Sequence, residues 1–167
     1  MGMPMQKGST AENRVINVVI AGLGGQGVLK ASDALARVAF RAGLDVKKSE
    51  IHGMSQRGGS VSSDVRFGDR VWSPMVPPGE ADFLVVLAPD QEPVFRHVLR
   101  PGGKLIGVDR IRVEQLPNRK SLNMALLGVL SRDLDFPEDL WQEVIAEVLP
   151  KAVEVNWKAF QLGRAAA

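Results

Sequence analysis

"VINVVIAGLGGQGVLKASDALARVAFRAG", residues 15–43, decides the fold. Val15 to Ala21 is β-branched and almost continuously apolar, the composition of a central strand covered on both faces. Val28, Ala31, Leu35, Val38, Ala39 and Ala42 then recur at helical spacing, and Gly43 supplies a helix stop. Between the two lies a glycine cluster, Gly22, Gly24, Gly25, Gln26 and Gly27. "LDVKKSE", 44–50, reads as a second strand, so the chain opens strand, glycine turn, helix, strand.

Downstream the period changes. In "SVSSDVRFGDRVWS", Val61, Ser63, Val65 and Phe67 share one face and Ser60, Ser62, Asp64 and Arg66 the other, as in a strand. Gly68-Asp69 sits where a two-residue hairpin turn belongs, which predicts a return strand through Val71 and Trp72. After the proline-rich "PMVPPGEAD", residues 83–88 and 105–109 read as buried strands, Asp90 to Leu99 as a short helix, and 111–116 as one more strand. The last third reads as helical. Leu122, Ala125, Leu126, Val129 and Leu130 form one stripe, and Leu140, Val144, Ile145 and Val148 a second. Asp135 is the expected cap of that second helix, with Pro137 in its first turn. Beyond Pro150, Val153, Trp157 and Phe160 line a third. The expected fold class is therefore a three-layer α/β/α domain. Its sheet is mixed and mostly parallel, includes one β-hairpin, and is followed by a helical C-terminal third. A polar tail over 1–13 precedes one domain over 14–167.

Composition narrows the function. The chain has 167 residues, 45% of them apolar, and a formal net charge of +2, too weak a field to argue for nucleic acid or a membrane surface. There is no cysteine and only two histidines, which removes disulfides, thiolate metal sites, a catalytic thiol and cluster ligation by this chain. No run reaches the ~18 apolar residues of a membrane span, and no apolar leader is present, so a cytoplasmic protein is expected.

Gly22, Gly24 and Gly27 fit G-x-G-x-x-G between a strand and a helix, a turn that lets main-chain amides and a helix N-terminus approach a phosphate. The same glycines serve equally to pack strand against helix. Gly25 opens the turn further, Gln26 offers an amide to a ligand, and Asp45 and Glu50 stand at roughly the distance of a ribose-binding acid. A second loop, "EIHGMSQRGGSV", interleaves His52, Ser55, Gln56, Arg57 and Ser60 with Gly53, Gly58 and Gly59. Arg57 suits a phosphate or carboxylate, and His52 alone reads more simply as structural. Adjacent strand ends in a β–α–β unit should bring both loops to one carboxyl edge of the sheet. Neither a Walker lysine, a metal-ligand spacing nor a nucleophile elbow is present. Asp82, Asp90 and Asp109 sit at strand ends, where acids commonly cap helices. No catalytic residue and no metal ligand is assigned.

At this point the sequence resembles a known family. "GLGGQGV", then "EIHGMSQRGGSVSSDVRFG", then "SPMVPPGEAD", and late "VEVNWKAFQLGR" look like the gamma subunit or domain of 2-oxoacid:ferredoxin oxidoreductases. The nearest subtype is the small beta chain of indolepyruvate ferredoxin oxidoreductase, and the resemblance spans about 15–163. It implies a subunit inactive alone. Partner chains carry thiamine diphosphate and iron–sulfur clusters, electrons leave to ferredoxin, and coenzyme A takes the acyl group. On that resemblance Gly22, Gly24, Gly25, Gln26 and Gly27 form a phosphate-facing turn. His52, Gly53, Met54, Ser55, Gln56, Arg57, Gly58 and Gly59 form a loop facing ligand and partner subunit. Gln26, Ser55, Gln56 and Arg57 are the expected direct contacts. Some complexes of the family hold two copies of each subunit, which makes a homodimer contact a further expectation. Two other readings stand beside it: a stand-alone Rossmann-like dinucleotide-binding protein, and a scaffold subunit with no ligand.

Overall fold

The computed structural model describes residues 14–52 and 58–166, with only the main chain of His52. The tail expected over 1–13, and the contacts expected of Gly53, Met54, Ser55, Gln56 and Arg57, lie outside the described residues. Among the described residues five strands form one sheet in the order β2-β3-β1-β4-β5. They are β1 Val15–Leu23, β2 Asp45–His52, β3 Ser60–Gly68, β4 Ala81–Val86 and β5 Leu99–Ile106. The helices are α1 Val28–Arg41, α2 Glu92–Phe95, α3 Leu122–Ser131, α4 Glu138–Val148 and α5 Val153–Ala166.

The apolar β1 is the central strand, as its composition dictates, and residues 16–22 are all buried. It pairs parallel with β4, Val18 opposite Phe83, and antiparallel with β3, Val18 opposite Val65. β4 and β5 are parallel, and β2 and β3 antiparallel. Four strands thus run one way and β3 alone is reversed.

Two expectations about this half are corrected. The hairpin joins β2 to β3, and no return strand forms through Val71 and Trp72. Both edges of β3 are already taken, by β1 and β2, so a further strand has no place to pair. Likewise β1 and β2 are not neighbours; β3 lies between them. Their carboxyl ends still share one edge, because both strands run antiparallel to β3.

One face of the sheet carries the main core. Ile16, Val18, Ile20, Val65, Phe67, Phe83, Val85 and Ile106 meet the apolar sides of α1, α3, α4 and α5. α3 is buried from Asn123 to Ser131, as a helix apolar on nearly all sides must be. Aromatic rings link the sheet to the last helix. Phe67 lies 5.7 Å from Phe136, Phe136 6.1 Å from Trp141, and Trp141 5.2 Å from Phe160, which stacks on Trp157 at 5.3 Å. Trp141, fully buried, carries α4 where the expected stripe began with the half-buried Leu140. That helix begins at Glu138 after Pro137, with no side-chain cap, so Asp135 does not cap it. The stretch expected as a strand over 111–116 instead holds a 3-10 turn, Val113–Gln115.

The opposite face is covered more thinly. Val19, Ala21, Leu84 and Val86 are closed over by Val76 and by Phe95 and Val98 around α2. Beside them the irregular 69–80 segment is tied to strand side chains. Asp45 Oδ2 accepts from the Val71 N–H at 2.7 Å and Asp64 Oδ2 from the Val76 N–H at 2.9 Å. Arg66 donates to the Ser73 and Met75 carbonyls at 2.8 and 3.3 Å and to Asn17 Oδ1 at 2.8 Å.

Candidate ligand site at two glycine loops

β1 and β2 end at the same edge of the sheet, and the described parts of the two glycine loops touch there. The Gly24 N–H donates to the Gly59 carbonyl at 2.8 Å, and a Cβ on Gly24 would stand 3.2 Å from Gly58 N. The two clusters, well separated in sequence, thus form one feature. His52 closes β2 at this edge.

The glycines divide by their surroundings. Gly27 is buttressed: it has φ +83°, and a Cβ there would fall 2.3 Å from Asn123 Nδ2. That Asn123 amide donates to the Gly27 carbonyl at 3.1 Å. A Cβ on Gly22 would crowd Gln26 Oε1 at 2.8 Å and the Leu87 side chain at 3.0 Å. Gly25, φ +90°, and Gly58, φ +92°, are different, with nothing within 4 Å of the Cβ position. Their backbone demands glycine while their outer side stays open.

Gln26 is turned inward. Its Oε1 accepts from the Leu23 N–H at 2.7 Å and its Nε2 donates to the Leu87 carbonyl at 3.2 Å, fastening the turn to the end of β4. The sequence reading offers this amide to a ligand; the structure engages it with two main-chain groups.

Main-chain donors face the open side. Gly27 caps α1 with no side-chain acceptor, and the first turn contains no acid. The N–H groups of Val28, Leu29 and Lys30 therefore have no intrahelical partner, and the helix dipole leaves partial positive charge there. A groove of about 340 Å³ runs along this turn, lined by Gly24, Gly25, Gly27 and Lys30 beside apolar Leu23, Val28, Leu29 and Val61. Main-chain amides at a helix N-terminus can hold an anion, and the apolar lining gives the groove a second, non-polar wall.

Sequence reasoning passed over Lys30, Asn123 and Gln91. Lys30 lies in the first helical turn and lines the groove, its Nζ donating to the Val148 carbonyl of α4 at 3.5 Å. Asn123 approaches from α3, 96 positions from Gly27, and no local signal marks it. Ser60 Oγ and Gln91 Oε1 lie 2.7 Å apart, joining the start of β3 to the turn after β4. Of the strand-end acids, Asp82 is structural. It accepts from the Asn17 N–H at 2.8 Å and from Arg100 Nε at 2.6 Å, at the far edge of the sheet.

The fold is an α/β domain with glycines and main-chain amides grouped at one strand edge, and no group of three potential metal ligands lies among the described residues. The comparisons give the class its place. The family model described as pyruvate ferredoxin/flavodoxin oxidoreductase matches residues 17–112, and the chain belongs to that family of oxidoreductase subunits. It is 36% identical over 193 aligned positions to indolepyruvate oxidoreductase subunit IorB of Pyrococcus horikoshii, covering 90% of this chain and 95% of that one. Two solved structures share its fold. One is a 2-oxoglutarate:ferredoxin oxidoreductase from Magnetococcus marinus with 2-oxoglutarate, coenzyme A and succinyl-CoA bound, at TM-score 0.78 and 21% identity. It is matched over 93% of this chain and 31% of that one. The other is the keto/oxoacid ferredoxin oxidoreductase gamma subunit of Geobacter sulfurreducens, at TM-score 0.68 and 24% identity, over 91% of this chain and 98% of that one.

Proposed function

We propose that this chain contributes the coenzyme A site to a thiamine-diphosphate-dependent 2-oxoacid:ferredoxin oxidoreductase complex and helps shape its assembled active site, while being inactive alone. The observation that carries the reading is the junction of the two glycine loops beside an uncapped, acid-free helix N-terminus. Coenzyme A, when bound, supplies the thiol that takes up the acyl group. This chain's part is to hold phosphate. The Gly25 and Gly27 main chain and the first-turn amides of α1 face the anion, and Gln26 and Asn123 fix the turn from behind. Gly58 and Gly59 bring the second loop up to the same groove.

A chain without cysteine offers no thiolate to a cluster, which supports iron–sulfur clusters held by partner subunits; thiamine diphosphate is assigned to partner subunits on the family resemblance. Electron delivery to ferredoxin then runs through the complex. The name of the Pyrococcus relative supports an aryl 2-oxo acid as the substrate class. A cytoplasmic setting fits the reading, and no helix among the described residues is long and apolar enough to cross a membrane.

The test is Gly25→Ala in the complex assembled with its thiamine diphosphate partner. The side chain would enter open space, and the residue would be strained at φ +90°. The KM for coenzyme A should rise about tenfold or more while that for the 2-oxo acid stays put. An unchanged coenzyme A KM with lost subunit association would make the chain a scaffold. Turnover of a 2-oxo acid by the isolated chain with a dye acceptor, or a micromolar NAD site with no response to coenzyme A, would overturn the reading.

A further inference from the structure

Among the described residues β2 lies at one end of the sheet and pairs with β3 alone. Half of its main-chain N–H and C=O groups therefore point outward, a template for one more strand. The side chains along this edge are ordered by charge. Lys48 and Glu50 share the helical face and pair within the chain at 2.7 Å, Lys48 also reaching Asp33 on α1. Lys47, Ser49 and Ile51 take the other face. Large apolar side chains flank the edge on both sides. Phe40 is 71% exposed on the helical face, where a groove of about 440 Å³ runs between α1 and β2 past Val46 and Lys48. Ile51 is 46% exposed on the opposite face.

We propose that this edge is the contact for a second copy of the chain, joined antiparallel about a two-fold axis through Ser49 to give a continuous ten-stranded sheet. The charges select the occupant and the register. A two-fold axis normal to the sheet keeps each face on its own side, so only registers that pair same-face residues are allowed. Centred on Ser49, each Lys48 stands opposite Glu50 of the second copy, and each Lys47 opposite Ile51. A shift of one step puts Lys48 opposite itself or Glu50 opposite itself, and like charges directly across a ladder repel. The pairing also extends both apolar flanks, drawing the two Phe40 grooves together on one face and covering Ile51 on the other. Edge lysines that merely prevent pairing would give no attractive register. This proposal is independent of the coenzyme reading, and its test measures association, not activity.

The experiment uses the full-length chain, with size-exclusion chromatography and light scattering across a concentration series. The wild type should show a concentration-dependent dimer. Lys48→Glu and Glu50→Lys should each weaken it about tenfold or more, because each creates two like-charge pairs about the axis. Mixing the two variants in equal amounts should restore a dimer. The carboxylate introduced in one chain then faces the ammonium introduced in the other, and across the axis the native Lys48 and Glu50 still meet. A change in monomer folding cannot produce that rescue. Circular dichroism and thermal melting check that each variant is folded. If either fails to fold, Phe40→Glu, on an exposed side chain, supplies the weakened dimer instead. A wild type monomeric at every concentration, single variants that associate like the wild type, or a mixture that stays monomeric would each overturn the proposal.

Discussion

The two faces of the sheet are closed by different physics. On the helical face, α3 and α5 cross so tightly that glycine is required on both. A Cβ on Gly163 would lie 1.7 Å from the Ala125 carbonyl oxygen, and one on Gly128 2.1 Å from that of Phe160. Apolar area does the holding there, with Trp141, Phe160, Leu126 and Leu127 almost fully buried. On the opposite face, an irregular segment lies over a polar part of β3 and is held by side chains bonded to its main chain, from Asp45, Asp64 and Arg66. Disturbing the first face should therefore affect the whole fold. The second should open locally, with the rest of the domain left standing.

Gly163→Ala carries the largest expected effect. In the middle of an exposed helix this change would gain about 1 kcal/mol of propensity. Here the methyl group meets backbone that cannot yield, and the change should cost about 3 kcal/mol or more, lowering the melting temperature by on the order of 10 °C. Far-UV circular dichroism on heating reads it as a single transition. A variant that melts with the wild type would show that α3 and α5 do not touch as described, and the contrast between the faces would fail.

Arg66→Ala tests the other face. It removes donors to Ser73, Met75 and Asn17 at once. Hydrogen bonds from a charged group are each worth about 2 kcal/mol, discounted here because Arg66 is half exposed. The melting temperature should fall by roughly 3 °C. Tryptic cleavage after Arg70, in the segment it holds down, should accelerate well before global unfolding. If cleavage there stays slow while the whole domain melts earlier, the segment is part of the global cooperative unit and the two faces are alike.

The same contrast decides what the sequence revealed. Periodicity reports apolar burial, so β1, α1 and the three C-terminal helices were legible from Val15 to Ala21, Val28 to Ala42 and the leucine stripe of α3. It also showed period two in β3, but not where β3 would pair. Alternation along Val61, Val65 and Phe67 fits any slot with one wet face, and Gly68-Asp69 made a false hairpin attractive. The 69–80 segment was opaque because long-range hydrogen bonds hold it, not a pattern. At the site, the glycine spacing signalled a phosphate turn, and the structure sorted its members. Gln26 fits a ligand amide in sequence because one of its main-chain partners, Leu87, comes within reach only when β4 lies beside β1. Asn123 was out of reach for the same reason.

The smallest expected effect separates two carboxylates that do the same job on the thinner face. Burial pushes the Asp64 carboxyl up, a shift that the Val76 N–H and the Arg66 charge only partly offset. The Val71 N–H instead holds the more exposed Asp45 carboxyl down. Their contributions to stability therefore run in opposite directions. The ordinary carboxylate value is about 3.9. The stability linked to Asp64 is fully present below that value, and is lost as pH rises through the group's higher folded value. That linked to Asp45 is present above it and lost as pH falls through the lower folded value. In the wild type the two windows adjoin: the Asp64 change lies above the ordinary carboxylate value, in the mildly acidic range, and the Asp45 change below it. Asp64→Asn keeps an acceptor for the Val76 N–H and removes the titration. It should melt about 2 °C above the wild type at neutral pH, and the difference should vanish below about pH 4, where both side chains are uncharged. Melting curves at matched ionic strength between these limits measure it. A constant offset at every pH would mean that the Asp64 carboxyl is not desolvated in the folded chain, and that this face is wetter than its burial implies.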